Sequence, residues 1–124
     1  MKDKVYPTTI YFGKRRSQSG HQPVYKRIMP DGDVTELSPE HSQKLRLHSP
    51  DGFQWGYGGS GPAQTALALL LDVTTIPDIA EEYYQDFKMD VVSHWGDDWS
   101  ITSDDIIEWI ETRKLEKRAM LSQN

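Results

Sequence analysis

A glycine-rich segment, residues 52–61, carries the residues best suited to chemistry, and it directly precedes an apolar stretch. Glycines at positions 56, 58, 59 and 61 can adopt positive φ angles, so this loop can turn sharply and aim several N–H groups at one anion. An aromatic side chain of the loop could stack on a base or ring beside that anion. The candidate ligand-binding residues are Trp55, Tyr57, Gly58, Gly59, Ser60 and Gly61.

The same loop lacks the residues that complete known phosphate-binding motifs. A nucleoside-triphosphatase loop ends in Gly-Lys-Ser/Thr, whereas this loop continues as Ser-Gly-Pro-Ala, and Pro62 removes one N–H donor. A dinucleotide fingerprint requires a parallel βαβ unit, which the hairpins predicted before the loop do not provide. Ser60 would need a nearby base to act as a nucleophile, and helix capping is its commoner role. The glycines could therefore be architectural, letting Trp55 and Tyr57 fold over a buried helix.

A second cluster, Ser93–Trp99, brings one histidine, two aspartates and two tryptophans together within seven residues. It could bind a metal or transfer protons, but one histidine with two adjacent aspartates is a thin ligand set. We interpret the segment as a connection between helices, in which Trp95 and Trp99 pack on the core and the acids stay solvated. We expect no catalytic residue, no metal site and no cofactor.

A third candidate is the basic strip Lys14, Arg15 and Arg16, which could contact nucleic acid beside exposed aromatics such as Tyr11 and Tyr25. The chain as a whole is acidic, with a net charge of −5 and a pI of about 5.3, so nucleic acid is the less favoured partner. Four further basic residues in the first half of the chain could add to the positive charge of the strip: Lys26, Arg27, Lys44 and Arg46.

The elements that must position these residues begin with strands. Residues 5–12 alternate loosely, and an Asp-Gly turn at residues 31–32 predicts a hairpin between residues 24–29 and 34–37. In residues 44–48 Leu45 and Leu47 alternate with basic residues, and a second Asp-Gly turn separates them from residues 53–57. These two segments are interpreted as another strand pair, which gives an antiparallel sheet of three to five strands.

The second half changes to helical periodicity. Pro62 suits a first helical turn, and the residues after it are almost all apolar, which predicts a buried central helix. Thr75-Ile-Pro-Asp78 predicts the start of a second helix, and Thr102-Ser-Asp-Asp105 predicts the start of a third. The predicted fold class is α+β, with an N-terminal antiparallel sheet and about three C-terminal helices packed on one face.

Length and composition predict a single domain over residues 1–124, with the sheet at about residues 4–58 and the helical part at about 61–118. The chain has no cysteine, which removes disulfides and thiolate chemistry and suits a reducing compartment. No apolar run is long enough to span a bilayer, and the first residues do not form a signal peptide. We therefore expect a cytoplasmic protein without membrane contact.

Charge is divided unevenly between the two halves. Residues 1–50 carry nine Lys/Arg and five Asp/Glu, whereas residues 51–124 carry five Lys/Arg and fourteen Asp/Glu. This asymmetry could direct a basic partner to the acidic half, although the two halves could equally screen each other on one small surface.

The run Gly52–Asp72, with Trp-Gly-Tyr-Gly-Gly-Ser-Gly-Pro-Ala before the apolar helix, resembles the signature of a family of small uncharacterised proteins. Members of that family occur in phages, plasmids and their prokaryotic hosts. Tyr11-x-Gly13 is similar to the family's opening strand. The family is a domain of unknown function without assigned catalytic residues, so the resemblance implies a setting on a mobile element and no mechanism.

The missing catalytic set favours a non-enzymatic binding or accessory protein that acts through protein–protein contact with a host protein or with itself. Its surface would be the aromatic and glycine-rich region near Trp55 and Tyr57, together with the acidic helix face. The alternative is a small anionic ligand, phosphate or nucleotide-like, at the glycine-rich loop. The second alternative is nucleic-acid binding by Lys14, Arg15 and Arg16. The sequence does not determine the oligomeric state.

Overall fold

The computed structural model describes residues 7–122 of the 124-residue chain. An α+β fold is confirmed, with a four-stranded antiparallel sheet and helices packed on one of its faces. In chain order the elements are β1 (Thr9–Lys14), β2 (Val24–Ile28), β3 (Val34–Leu37), α1 (Glu40–Leu45), α2 (Ser60–Thr74), α3 (Pro77–Asp90), a 3₁₀ turn (Val92–His94), β4 (Asp98–Thr102) and α4 (Ser103–Ser122).

The sheet has the strand order β3-β2-β1-β4 with every neighbouring pair antiparallel. The predicted hairpin is confirmed as β2 and β3. Its Gly32 is required for close packing rather than for a positive φ, since a Cβ there would lie 2.5 Å from the carbonyl oxygen of Ile28. The first strand begins at Thr9, and residues 5 and 6 of the predicted strand, with residue 4 at the predicted start of the sheet, lie outside the described residues.

The fourth strand comes from a segment that the sequence assigned to a helix connection. Asp98 and Trp99 begin β4, which pairs with β1 so that Trp99 lies opposite Gly13. The sheet therefore does not end near residue 58, because its last strand follows α3. Strand β4 pairs with a segment more than 80 residues earlier, and such pairing leaves no local sequence signal.

Residues 44–48 and 53–57 do not form the predicted strand pair. Glu40–Leu45 is the short helix α1, and residues 53–57 have no strand partner within residues 7–122. Their backbone–backbone bonds to other segments run from the Gln22 N–H to the Phe53 carbonyl and from the Gly56 N–H to the Val92 carbonyl. Leu47, expected on a buried face, is 65% exposed. A Ser-Pro-Glu sequence explains the helix, since the Ser38 hydroxyl accepts from the Glu40 N–H at its start.

Helix α2 is the buried centre of the fold, as predicted, with every residue from Gly61 to Leu70 buried. The sheet contributes four buried side chains to the same core, Tyr11, Val24, Leu37 and Trp99.

Helices α3 and α4 run side by side through polar contacts. Arg113 pairs with Asp86 at 2.9 Å, and Lys117 pairs with Glu82 at 3.5 Å and lies over the Tyr83 ring. No helix among residues 7–122 combines the length and the hydropathy that a membrane span requires.

Candidate functional site

Trp55, the first candidate of the glycine-rich loop, is a core residue. Its side chain is 0% exposed, its indole N–H donates to the Asp97 carbonyl at 3.3 Å, and its ring meets Trp99 edge to face at 5.5 Å. The indole is thus enclosed by the loop before β4 and by β4 itself. It cannot stack on a ligand, so the proposed aromatic surface near residue 55 reduces to Tyr57, which is 46% exposed.

The glycines of the loop serve mainly close packing. Only Gly56 among the four has a positive φ, at 87°. A Cβ on Gly59 would lie 2.6 Å from the Tyr57 ring, and a Cβ on Gly61 would lie 2.6 Å from the Gln54 Cβ. A Cβ on Gly58 would meet no atom within 4 Å. Two of the candidate glycines therefore let Tyr57 and Gln54 approach the start of α2 closely.

The start of α2 nevertheless leaves backbone donors open. Gly59 is the N-cap residue and provides no side-chain cap, and Ser60 is an exposed first residue of the helix. Within residues 7–122 no group accepts a hydrogen bond from the N–H of Gly58, Gly59, Ser60 or Gly61. Tyr57 lies against Gly59 and Gly61, and Gly58 and Ser60 are exposed, so an anion could reach this end of the helix.

The structure separates the three residues of the basic strip. The Arg15 side chain is 11% exposed, and its guanidinium donates to Asp97 at 2.9 Å and to the Trp55 carbonyl. Lys14 and Arg16 are exposed. Tyr11, expected to be exposed, is 2% exposed and belongs to the core. Among the described residues the strip thus contributes two cations without an ion pair and one structural arginine.

The four further basic residues of the first half do not extend the basic strip. Lys26 pairs with Asp72 at 2.9 Å on the core side of the sheet, and Arg46 pairs with Glu81 at 3.4 Å. Arg27 donates to two carbonyls of its own hairpin. Only Lys44 is exposed without an ion pair among the described residues, and it lies on α1.

A concavity of the described chain lies elsewhere, between α1 and the C-terminal half of α2. This α1–α2 groove has a volume of about 540 Å³ and ends against β3 on one side and the α2–α3 turn on the other. Its floor is apolar, and its rim is polar, with the exposed His41 and Lys44 on the α1 side. Floor residues are Leu37, Leu45, Ala68 and Leu71, and rim residues are Ser38, His41, Lys44, Asp72 and Thr75.

Asp72 joins the groove to the sheet. Its carboxylate accepts from the Tyr11 hydroxyl at 2.6 Å and pairs with Lys26 at 2.9 Å, and it also lines a second cavity of about 230 Å³. Burial, and then the hydrogen bond and charge of Asp72, raise the pKa of Tyr11 well above its ordinary value. The Tyr11 hydroxyl therefore stays protonated and remains a hydrogen-bond donor. Lys26 of β2 compensates the negative charge of Asp72.

The α1 wall of the groove is fixed by one buried glutamine. Gln64 of α2 is 0% exposed and uses both ends of its amide. Its oxygen accepts from the N–H groups of His48 and Ser49, and its nitrogen donates to the Ser42 hydroxyl and the Arg46 carbonyl. Because all four bonds reach α1 or the turn after it, α2 sets the position of that wall.

His48 ties the same turn to α3. Its Nε2 lies 2.6 Å from the Tyr84 hydroxyl, which also accepts from the Gln85 amide. Burial, then Lys88 and Arg46, lower the pKa of His48. A neutral imidazole that carries its proton on Nδ1 can accept a hydrogen bond from the Tyr84 hydroxyl at Nε2.

The Ser93–Trp99 cluster is structural. Trp95 stacks on Trp99 with centroids 3.9 Å apart, as expected for packing on the core, and Asp97 is held by Arg15. Across residues 7–122 no group of three or more His, Cys, Asp or Glu could hold a metal ion.

The groove residues were missed because residues 44–48, which include the end of α1, were interpreted as a strand and the helix before them was not predicted. Two signals were present in the sequence. Gln64 and Asp72 are polar residues within a largely apolar helix, and polar groups at the edge of a core need specific hydrogen-bond or charge partners. Ser38-Pro39-Glu40 is the helix start already described.

The profile of a family of unknown function, DUF6166, matches residues 11–112. The chain belongs to this family. The matched range begins at Tyr11 and ends within α4, so it contains the whole α1–α2 groove and the glycine-rich loop. No curated protein and no solved structure matches the chain.

Proposed function

We propose that this member of DUF6166 is a binding protein without catalytic activity that takes an apolar segment of a partner protein into the α1–α2 groove. The observation that carries this proposal is the groove itself, about 540 Å³ in volume with an apolar floor and a polar rim. Recognition sites commonly have this size and composition, and grooves beside helices commonly accept apolar side chains of a partner.

The fixed walls of the groove support its role as a preformed site. Gln64 holds the α1 side through four hydrogen bonds, and Asp72 is anchored to β1 and β2 through Tyr11 and Lys26. A preformed groove loses little conformational entropy when a segment enters it.

Rim charges favour a partner segment with an acidic flank. The negative charge of Asp72 is compensated by Lys26, whereas Lys44 is exposed and free of an ion pair within residues 7–122. The rim therefore presents a net positive charge beside the apolar floor. A segment with two or three large apolar side chains next to an Asp or Glu fits that pattern.

We place the proposed binding surface in the groove and not near Trp55 and Tyr57 or on the acidic helix face. Trp55 is buried, and the acidic helix face is partly neutralised because Glu82 and Asp86 pair with Lys117 and Arg113. Neither feature offers the enclosed apolar area that the groove offers. A mobile-element setting and a cytoplasmic location complete the proposal. The setting rests on the family resemblance, and the location rests on the absence of cysteine.

Occlusion of the groove is the test. The chain has no cysteine, so Lys44→Cys and the control Glu108→Cys on α4 can each be labelled once with a bulky maleimide. Peptides are first selected from a displayed random library on the immobilised protein. We expect label at position 44 to weaken their binding about ten-fold or more, and label at position 108 to leave it unchanged.

A charge reversal at Lys44 tests whether the bound segment has an acidic flank. Lys44→Glu should weaken selected peptides that carry Asp or Glu, and the matched control Arg118→Glu on the exposed face of α4 should not. Peptides whose binding is insensitive to both the label and the reversal at position 44 would show that the groove is not the binding site.

The open backbone donors at the start of α2 favour one second candidate, an anion held by Gly58–Gly61 beside Tyr57. Inorganic phosphate and mononucleotides are the probes, followed through the amide signals of Gly58–Gly61. Binding there should be lost in Gly59→Ala, whose Cβ displaces Tyr57, and retained in Gly58→Ala, whose Cβ meets open space. Unchanged amide signals at saturating phosphate and nucleotide would dismiss this candidate.

A further inference from the structure

The face of the sheet that points away from the helices carries an apolar centre. Strand register places Phe12 directly opposite Tyr25 on β2, and Ile10 opposite Arg27. The rings of Phe12 and Tyr25 stack with centroids 5.6 Å apart, and Val34 beside Arg27 is 54% exposed. We call this surface the open face. Its members are Ile10, Phe12, Lys14, Tyr25, Arg27, Val34, Glu36, Asp98, Ser100 and Thr102.

This composition departs from that of a sheet face that meets only water. An antiparallel sheet with one solvated face normally alternates apolar and polar residues along each strand. Strand β1 instead reads Ile10, Tyr11, Phe12, so apolar side chains point to both faces. No element among residues 7–122 packs on the open face, because the buried residues of the sheet all belong to the helix side.

We propose that the open face is the interface of a homodimer, in which two copies pack sheet against sheet. The inference is independent of the groove, which lies on the opposite side of the sheet and remains accessible in such a dimer. Each dimer would then present two grooves, and a partner with two segments could engage both.

Charge on the open face suits a second copy better than it suits nucleic acid. Two cations, Lys14 and Arg27, are balanced by two anions, Glu36 and Asp98. The face is therefore neutral although the chain carries a net charge of −5, so two copies meet there without net repulsion. A two-fold interface places the same patch on both copies and can set these opposite charges against each other.

The size of the face is sufficient for a weak dimer. Four strands spaced about 4.8 Å apart and about five residues long give an area of roughly 19 by 17 Å. Counted on both copies, this flat area is roughly 650 Å², below the range of stable specific interfaces and within that of weak, transient ones. We expect a dissociation constant on the order of 10 µM, so dilution should separate the copies.

Sedimentation equilibrium across micromolar concentrations tests the proposal. The wild-type mass should rise from the monomer value of 14.3 kDa towards twice that value. Phe12→Glu should weaken association about ten-fold or more. Leu47→Glu, which changes a 65% exposed leucine far from the open face, should leave association unchanged. A wild-type protein that stays monomeric throughout, or a dimer indifferent to Phe12→Glu, would overturn the proposal.

Two further measurements keep the test decisive if Phe12→Glu does not fold. Val34→Glu alters an exposed residue of the edge strand and should also weaken the dimer. A spin label on Ser100→Cys should show broadening between copies that a label on Glu108→Cys does not show. Binding of a single-stranded oligonucleotide to a monomer, lost in Val34→Glu, would assign the open face to nucleic acid and overturn the dimer.

Discussion

The Tyr11 hydroxyl donates a 2.6 Å hydrogen bond to the Asp72 carboxylate, and this contact attaches the groove side of α2 to the central strand β1. Tyr11 is 2% exposed, and Asp72 lines both cavities. One bond therefore links the core of the sheet to the wall of the α1–α2 groove.

Tyr11→Phe should destabilise the fold by about 1–3 kcal/mol, because a buried hydrogen bond to a charged group is lost. Tyr57→Phe, which removes an exposed hydroxyl, should change stability by less than about 0.5 kcal/mol. Urea unfolding of both variants measures the difference. Equal midpoints for the two would mean that the Tyr11 hydroxyl contributes nothing.

Tyr11 should also make the stability of the wild-type protein fall at alkaline pH. The pKa of Tyr11 is raised in the folded state, so the unfolded chain loses this proton first as pH rises above the ordinary value of 10.0. The stability that Tyr11 contributes is complete below that pH and declines above it. The difference in unfolding midpoint between wild type and Tyr11→Phe should therefore narrow between pH 9 and pH 11, and a constant difference would contradict this account.

His48 should make the fold sensitive to mild acid. Its pKa is lowered in the folded state, so the unfolded chain binds the proton first as pH falls through the ordinary value of 6.5. The contribution is present above that pH and is lost below it. His48→Gln should flatten the dependence of unfolding midpoint between pH 7.5 and pH 5.5, whereas His94→Gln, at an exposed position, should leave the wild-type slope.

Two glycines of the glycine-rich loop should change stability in opposite directions when each is replaced by alanine. Gly61→Ala forces a Cβ within 2.6 Å of the Gln54 Cβ in a buried position and should cost about 1–3 kcal/mol. Gly58→Ala meets no atom within 4 Å and should be neutral or stabilising by up to about 1 kcal/mol. Thermal unfolding of the two variants provides the comparison, and similar melting temperatures would refute the packing role of Gly61.

Gln64→Leu should be among the most damaging single substitutions in α2. It leaves two backbone N–H groups, one carbonyl and the Ser42 hydroxyl without their partner, which should cost about 2–5 kcal/mol. Gln85→Leu alters one exposed contact and is the control. If hydrogen exchange in α1 and the turn after it does not accelerate in Gln64→Leu, the glutamine does not position that wall.

Local signals were sufficient for most of the elements. The Thr102–Asp105 pattern predicts the start of α4, and the structure contains the reciprocal bonds of a capping box, from the Asp105 N–H to the Thr102 hydroxyl and from the Thr102 N–H to the Asp105 carboxylate. The hairpin at Gly32 and the buried α2 depend on equally local patterns. These features could be predicted because each one depends on residues only a few positions apart.

The site could not be predicted in the same way, because it is formed by contacts distant in sequence. Trp55 looked available for stacking, yet Arg15 and Asp97 enclose it from two separate segments. The groove requires α1, which strand-like alternation around Leu45 concealed, and its polar anchor Asp72 meets Tyr11 from 61 positions away. Periodicity indicates which face is apolar, but it does not show which distant side chains will meet.

The most direct measurement is a residue-resolved amide NMR titration of the ¹⁵N-labelled protein with a selected peptide that carries apolar residues next to an acid. We predict saturable shifts at Ala68, Leu71 and Thr75, with little change at Phe12 on the open face or at Gly58–Gly61. The same titration of Lys44→Glu should show weaker binding at the same residues. Saturable shifts confined to the open face or to the glycine-rich loop would contradict the groove as the binding site.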